Sequence, residues 1–440
     1  MCDSSLTSTM KPSQYSWVDF LFTCLGLVFL VFDIVLDVLA VVSLYQERDY
    51  RSLCVLLLFL VGSSVLVQAF SWLWYSYEDY RRETTVEKCL SVGWLKLLHV
   101  LQLGIYIRHA GVVEVSVRSF LPKKNPEIKT PGDFAVYLSH DLSMLRLLET
   151  FSESAPQLVL MLTIMLQRGQ LDHWTVLKAL GSASAIACSV TMYHRSLRFF
   201  LKAKQKQQFV SSVVYFLWNL LLIMSRITAL ALFASVLPCF ILTHFICSWI
   251  ILFFFVWRSK TDFMDNAFGE WLYRATVGLI WYFDWFNVVE GKTRNKTLLY
   301  HGYMLADISL LCSLWCWKII TDPPYFEFSP FWAKIIAVSV VSTYILGLFS
   351  KMIYYKFFHP KLNKDQLKGG DTESSSPEPQ PTSKIISADM PDAHISMVRT
   401  NLENSDMDGD IQDRSLSIPA SPDTKRYNKR MKKLAENFYS

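Results

Sequence analysis

Apolar runs of about twenty residues recur along this 440-residue chain, and no other feature limits its fold as strongly. An α-helix needs about 20 predominantly apolar residues to cross the hydrocarbon core of a bilayer. Ten such segments can be drawn, at roughly 17–44, 53–75, 90–107, 137–167, 173–193, 210–232, 236–257, 271–289, 298–318 and 331–355. Lipid offers no hydrogen bonds, so each segment must satisfy its own backbone groups, which a helix does and an isolated strand does not. Charged residues make up only 18% of the chain, against roughly a quarter in soluble domains. The fold class is therefore an all-α polytopic membrane protein. The 30 Phe, 20 Tyr and 14 Trp suit membrane interfaces and helix packing.

Not all ten segments cross. If they did, the loop 108–130, with Arg108, Arg118, Lys123, Lys124 and Lys129, would face away from the cytosol, against the positive-inside tendency. Letting 90–107 and 271–289 enter and leave on one side repairs this. Both segments are short, and both carry polar interruptions: Lys96, His99 and Gln102 in one, Arg274, Asp284 and Asn287 in the other. Re-entrant segments are tolerated where protein surrounds them. About eight transmembrane helices and two re-entrant segments result, with both termini cytosolic. Each half then has four crossings and one re-entrant piece, the pattern of a structural pseudo-repeat. The N-terminus lacks a basic stretch followed by a short apolar core and cleavage site, so the first span is expected to act as its own insertion signal.

Residues 1–16 read as a cytosolic N-terminus and 17–358 as the membrane domain. From 359 to 424 the chain turns to Ser, Pro, Gly and acids, as in GGDTESSSPEPQPTSK, a composition that buries too little apolar surface to order itself. Residues 425–440 differ. Tyr427, Met431, Leu434 and Phe438 follow helical spacing, with lysines and arginines mostly on the other faces, as in a basic amphipathic helix.

The apolar segments hold charges. Asp33 and Asp37 lie four residues apart in the first, and Glu149 and Glu153 repeat that spacing in the fourth. Asp141 lies two turns before Glu149 on nearly the same face, and Arg146 is three residues before Glu149, within pairing reach. Asp19, Asp284 and Asp307 add acids, and Arg226 and Arg274 add cations. A charge at bilayer mid-depth costs about 2.5–3.5 kcal/mol on insertion scales, so these residues must face a partner, the bundle interior or water. Three readings stay open on the residues alone: ion pairs that hold helices in register, carboxylates that conduct an ion or proton, and a polar track along which lipid headgroups slide. Acids outnumber the buried cations, which favours a wet path.

No catalytic pattern, Walker loop or dinucleotide fingerprint occurs, so neither an enzyme nor ATP-driven transport is expected. His194 reads as interfacial. The nine cysteines have no CxxC spacing, and no metal, cofactor or nucleic-acid partner is expected.

The stretches DLSMLRLLETFSESAPQLVLMLTIMLQRG, SSVVYFLWNLLLIMSRITALALFA and EWLYRATVGLIWYFDWFNVVEGKTR resemble the XK-related family. The similarity runs over about residues 17–358. It implies a phospholipid scramblase of the plasma membrane that exposes phosphatidylserine in apoptosis. It also implies activation by an executioner caspase that cuts an inhibitory tail, and a single-span immunoglobulin-type subunit such as basigin or neuroplastin. By resemblance, Asp33 and Asp37 match the paired acids of the first span, Glu149 and Glu153 the acids of ETxxExxPQ, and Arg226 and Asp307 further charged positions. Relatives often read DYHR where this chain has Met192-Tyr193-His194-Arg195, so an ion pair there is in doubt. Tail aspartates that suit a caspase are Asp392 (in DMPD, before Ala393), Asp408 (before Gly409) and Asp413 (before the bulky Arg414). Cutting at Asp392 or Asp408 would free the terminal helix, a tethered plug held near the membrane domain by its linker.

Overall fold

The structure is a computed structural model and describes residues 17–77, 80, 84–120, 131–169, 173–200, 209–259, 261–287, 294–322 and 329–358. Asp392, Asp408, Asp413, Tyr427, Met431, Leu434 and Phe438 lie outside the described residues.

All regular structure among the described residues is helical. The order is α1 (Trp17–Gln46), α2 (Tyr50–Tyr77), α3 (Thr85–Lys88), α4 (Val92–Val100), α5 (Gly104–Phe120), α6 (Pro131–Glu149), a π-helical turn (Thr150–Ser154), α7 (Ala155–Arg168), α8 (His173–Phe200), α9 (Phe209–Val236), α10 (Pro238–Arg258), α11 (Ala267–Phe283), α12 (Arg294–Thr321), α13 (Pro330–Ile353) and a closing π-helical turn (Tyr354–Phe358). Among the described residues seven helices are long and apolar enough to cross a membrane. They coincide with seven of the eight expected crossings. The eighth, 137–167, is too polar to be counted among them. It forms one helical run, α6 through α7, broken only by the π turn.

That break has a local cause. Pro156 has no N–H, so the carbonyl four residues before it loses its α-helical donor. The Ala155 N–H instead reaches back five residues to the Thr150 carbonyl. Hydroxyls hold the loosened turn: Thr150 Oγ1 donates to the Arg146 carbonyl at 2.7 Å, and Ser152 Oγ to the Leu148 carbonyl at 2.8 Å. Such π turns concentrate at functional sites.

Helices α4 and α5 meet at a bend of 119°. This is the geometry of a broken or re-entrant piece, where 90–107 was expected to turn back. The expected loop 108–130, however, is helical as far as Phe120. Its first charge explains why. Arg108 is buried, its guanidinium 4.0 Å from the Tyr75 ring centroid, and it donates from Nε to Ser71 Oγ at 2.8 Å. Asp141 lies 3.8 Å away. A paired, stacked arginine belongs to a packed helix as readily as to a loop. Glu114 ties α5 to the start of α3, accepting from the backbone N–H groups of Thr85 and Val86 at 3.1 and 3.0 Å.

Helix α9 is the hub. It packs against α7, α8, α10, α12, α13 and, less extensively, α11. Its interior positions are accordingly buried on nearly every side, from Ser211 to Ala234. Its most extensive packing is against α13, where a β-carbon on Gly347 would lie 2.7 Å from Leu222 Cδ2. His194 was expected at an interface and instead is buried in α8, stacked on Tyr215 of α9 with ring centroids 4.0 Å apart. By contrast α1 stays peripheral, with much of its apolar surface exposed, as a lipid-facing helix requires.

Gly347→Val would wedge α9 from α13. Overpacking of this kind costs about 1–3 kcal/mol. A lower thermal midpoint in detergent is expected, with no such loss for Gly302→Ala, where the new β-carbon meets open space.

Candidate functional site

Two helices and the π turn bring the first acids together. Asp33 and Asp37 descend one face of α1. Arg146 and Glu149 end α6, and Glu153 sits in the π turn. Arg146 Nη1 is 2.9 Å from Glu149 Oε2 and 3.8 Å from Asp33 Oδ2. Ser154 Oγ approaches Asp33 Oδ1 at 3.5 Å. Glu153 is buried and close enough to Glu149, Asp37 and Asp33 to interact with each electrostatically. Gln157 and Glu153 approach Asp37. One guanidinium therefore faces four carboxylates. With pairing so incomplete, the remaining acids need water, protons or a cationic visitor.

A cavity of about 360 Å³ opens beside this cluster, between α1, α7 and α8. Asp33, Asp37, Arg146, Ser154 and Gln157 line its inner part. Leu36, Leu158, Met161, Leu162 and Met165 make apolar walls. Glu47, Arg168 and Lys178 line its other end. From Asp33 to Gln46, next to Glu47, is thirteen residues of helix, roughly 20 Å, a large share of the hydrocarbon thickness.

The α1–α2 turn closes that end. Arg48 takes a left-handed conformation (φ 56°), and Asp49 then accepts from the Ser52 N–H at 3.2 Å and from Ser52 Oγ at 2.9 Å. Arg168 pairs with Glu47 and with Asp49, the latter at 3.4 Å. Partial burial acts against ionisation of Asp49, but Ser52 and Arg168 outweigh it and hold the carboxyl below the usual range.

The other predicted charges go elsewhere. Arg226 on α9 is fully buried and 2.5 Å from Asp307 of α12. His244 of α10 meets the other Asp307 oxygen at 3.1 Å and the Tyr282 hydroxyl at 3.0 Å. Arg226 Nε also donates to the Tyr282 carbonyl at 3.0 Å. This second cluster ties four helices, α9 to α12. Arg274 serves neither: it donates to Thr261 Oγ1 at 2.9 Å and to the Thr261 carbonyl at 2.7 Å. Glu270 accepts from the N–H groups of Phe263 and Met264, so this pair shapes the turn before α11. Asp141 pairs with Arg108, outside the four-acid cluster. Asp19 falls in the first turn of α1.

Asp284 is buried at the end of α11 and interacts electrostatically with Lys351 of α13. Lys351 was not singled out in the sequence. Its position at the end of the last apolar run reads as a flanking lysine, yet it is buried, with Nζ 2.8 Å from His301 Nε2 and 4.8 Å from the Trp218 ring centroid. Gln157 and Ser154 were also missed, because polar uncharged residues carry no insertion cost large enough to flag them. Met192, where the resemblance implied an acid, reaches α1: its Cε is 2.9 Å from where a β-carbon on Gly26 would lie. Arg195 beside it reaches Ser212 Oγ at 3.5 Å.

A helical bundle with interior charge clusters and a polar-lined cavity along one crossing defines a polytopic membrane protein. A family model for XK-related protein matches residues 21–360, and the chain belongs to the XK-related family. It is 39% identical to "XK-related protein 8" of Tetraodon nigroviridis over 440 residues, 98% of each chain. It is 39% identical to the protein of that name from Gasterosteus aculeatus, covering 97% of this chain and 98% of the relative. The counterpart from Pan troglodytes is 34% identical, over 80% of this chain and 87% of the relative.

The two clusters should respond differently to neutralisation. Asp307→Asn leaves Arg226 buried without its counter-charge, a loss of about 3–5 kcal/mol for such a pair, and is expected to lower folded yield sharply. Asp37→Asn removes one member of a carboxylate surplus and is expected to leave yield near wild type. Fluorescence-detected size exclusion after expression of each variant checks both.

Proposed function

We propose that this protein is a phospholipid scramblase of the plasma membrane. It moves lipids between leaflets without ATP and exposes phosphatidylserine once an executioner caspase cuts its tail. The observation that carries this reading is the cavity beside α1, whose polar inner part adjoins a surplus of carboxylates around Arg146. A headgroup crossing hydrocarbon carries a phosphate and, in most lipids, an ammonium. The cluster supplies both counter-charges, the guanidinium for one and the unpaired carboxylates for the other, in a site where each counts for more than in bulk water. Acyl chains stay in the bilayer beside the peripheral α1. Membership of the XK-related family, to which the resemblance attaches scrambling, supports the reading.

On this reading the tail is an inhibitor. Cleavage after Asp392 or Asp408 releases the basic C-terminal segment that carries Tyr427, Met431, Leu434 and Phe438, and Asp413 is a weaker site because Arg414 follows it. A single-span immunoglobulin-type subunit, basigin or neuroplastin, accompanies the chain to the surface, and both termini are cytosolic.

Fluorescent-lipid scrambling in liposomes tests the proposal. A chain ending at Asp392 is expected to move lipid and the full-length chain to be nearly silent. In the truncated chain, Asp33→Ala with Asp37→Ala is expected to cut the rate by about tenfold or more, the effect of weakening one strong charge contact in the path. Solute currents that depend on Glu149 and Glu153, with no lipid movement, would replace scrambling by ion conduction.

A further inference from the structure

The polar face of α2 has a gap in its hydrogen bonding. Ser64, Gln68, Ser71 and Tyr75 follow the i, i+4, i+7, i+11 spacing of one helical face. Ser64 Oγ donates to Gln102 Oε1 at 2.8 Å, Ser71 Oγ meets His99 Nε2 at 2.9 Å, and the Tyr75 hydroxyl donates to Glu87 Oε1 at 2.6 Å. This face is therefore turned to the α4–α5 bend and to α3. Gln68 lies one turn from Ser64 and one from Ser71. It is 4% exposed, and among the described residues neither its amide oxygen nor its amide nitrogen has a hydrogen-bond partner. On α5, Nε2 of the buried His109 likewise has none. An amide buried in this way is costly unless water completes its bonds, and it can accept from one water while donating to others. The bend adds to the demand, since two helix ends meet there and their end groups lack intrahelical partners. None of these residues lines the cavity beside α1.

Both ends of this seam meet acids. At the inner end Ser63, next to Ser64, accepts from Ser152 of the π turn at 2.8 Å and lies beside Glu153. At the outer end Glu87 belongs to the capping box of α3, whose Thr85 and Lys88 are exposed. Between Ser63 and Tyr77 lie fourteen residues of helix, roughly 21 Å. Glu149 and Arg146 of α6, Asp33 and Asp37 of α1 and Tyr106 of α5 all act electrostatically on Glu153. Helix α11 packs on the same turn through Phe283, stacked on Phe151. We propose that Gln68 is the centre of an internal water site, and that the seam it hydrates is a proton route between Glu153 and the end of α2 that the proposed topology puts in the cytosol. A hydronium at the outer end gives its proton to the next water, each water passes one on, and the last protonates a Glu153 carboxylate oxygen. Release runs the chain in reverse. Gln68 orients water and does not itself change protonation. Polar chains inside membrane proteins serve as proton relays. This one can supply the protons that four carboxylates around one guanidinium call for, and it needs no lipid movement.

Infrared spectroscopy of the full-length protein in phosphatidylcholine nanodiscs tests this. The protonated-carboxyl band of Glu153 is the one that Glu153→Gln removes. Its shift after transfer to heavy water reads how fast protons reach that carboxyl. Gln68→Met keeps the length of the side chain and removes the amide. It is expected to slow the shift about tenfold, the scale of losing one hydrogen-bonding station, and Gln68→Asn to stay near wild type. Size-exclusion profiles confirm that the variants fold. An unchanged rate in Gln68→Met overturns the route, and so does a spectrum in which Glu153→Gln removes no band. Thermal midpoints test the water site separately. An amide bonded to water leaves Gln68→Met no more stable than wild type, the expected result. A higher midpoint in Gln68→Met marks a dry amide whose removal is a relief, and overturns the site.

Discussion

A carboxylate or guanidinium inside a bilayer must find a counter-charge or water, and the interior of this protein is arranged around that demand. Arg146 is its clearest expression. It holds Glu149 on its own helix and faces Asp33 across to α1. Because α1 buries little of its surface, this polar contact, a small apolar cluster at Leu44, Leu56 and Ile164, and the Arg168 clasp are its main ties to the bundle. A helix held at its C-terminal end and by a polar contact midway leaves space between. That space is the cavity.

The same demand is met in opposite ways in the two halves. Around Asp307 one arginine, Arg226, balances the one acid, and hydrogen bonds with His244 and Tyr282 complete a cluster that ties four helices together. Around Arg146 the acids are in surplus, and the balance must come from elsewhere. A paired cluster is a poor conduit, because opening it strands a buried charge. An unbalanced one next to a cavity is a place where a zwitterion can exchange partners at small cost. Packing supports the division. The hub helix α9 is buried along most of its length, whereas α1 and the first turns of α8 face outward.

The π turn connects these features to the local sequence. Pro156 cannot donate, so the helix between Glu149 and Ala155 widens by one residue. Widening turns Glu153 away from its ideal α-helical position, yet keeps it against Asp37 and Glu149. Hydroxyls of Thr150 and Ser152 satisfy carbonyls that the wider turn strains. The carboxylate pair of α7's approach is thus set by one missing N–H.

Length and hydropathy by themselves determined the class of fold. Seven of the eight expected crossings, the bend near 101–103 and the pairing of Arg146 with Glu149 follow from runs of about twenty apolar residues, polar interruptions and three-residue spacing, all of them short-range properties. Asp33, Asp37, Glu149 and Glu153 were legible as one site because charges in apolar segments are expensive and so conspicuous. Partner choice was not legible. Arg226, Arg274 and Arg146 look alike in sequence, and only the packing of α9 to α12 sends Arg226 to Asp307 and leaves Arg146 with the acids. Arg108 read as a loop charge, Lys351 was not singled out and His194 read as interfacial, because burial of a residue near a helix end depends on which helix covers it. The cavity belongs to the tertiary structure alone: a gap is made by the helices around it, and no local pattern records where two helices fail to touch.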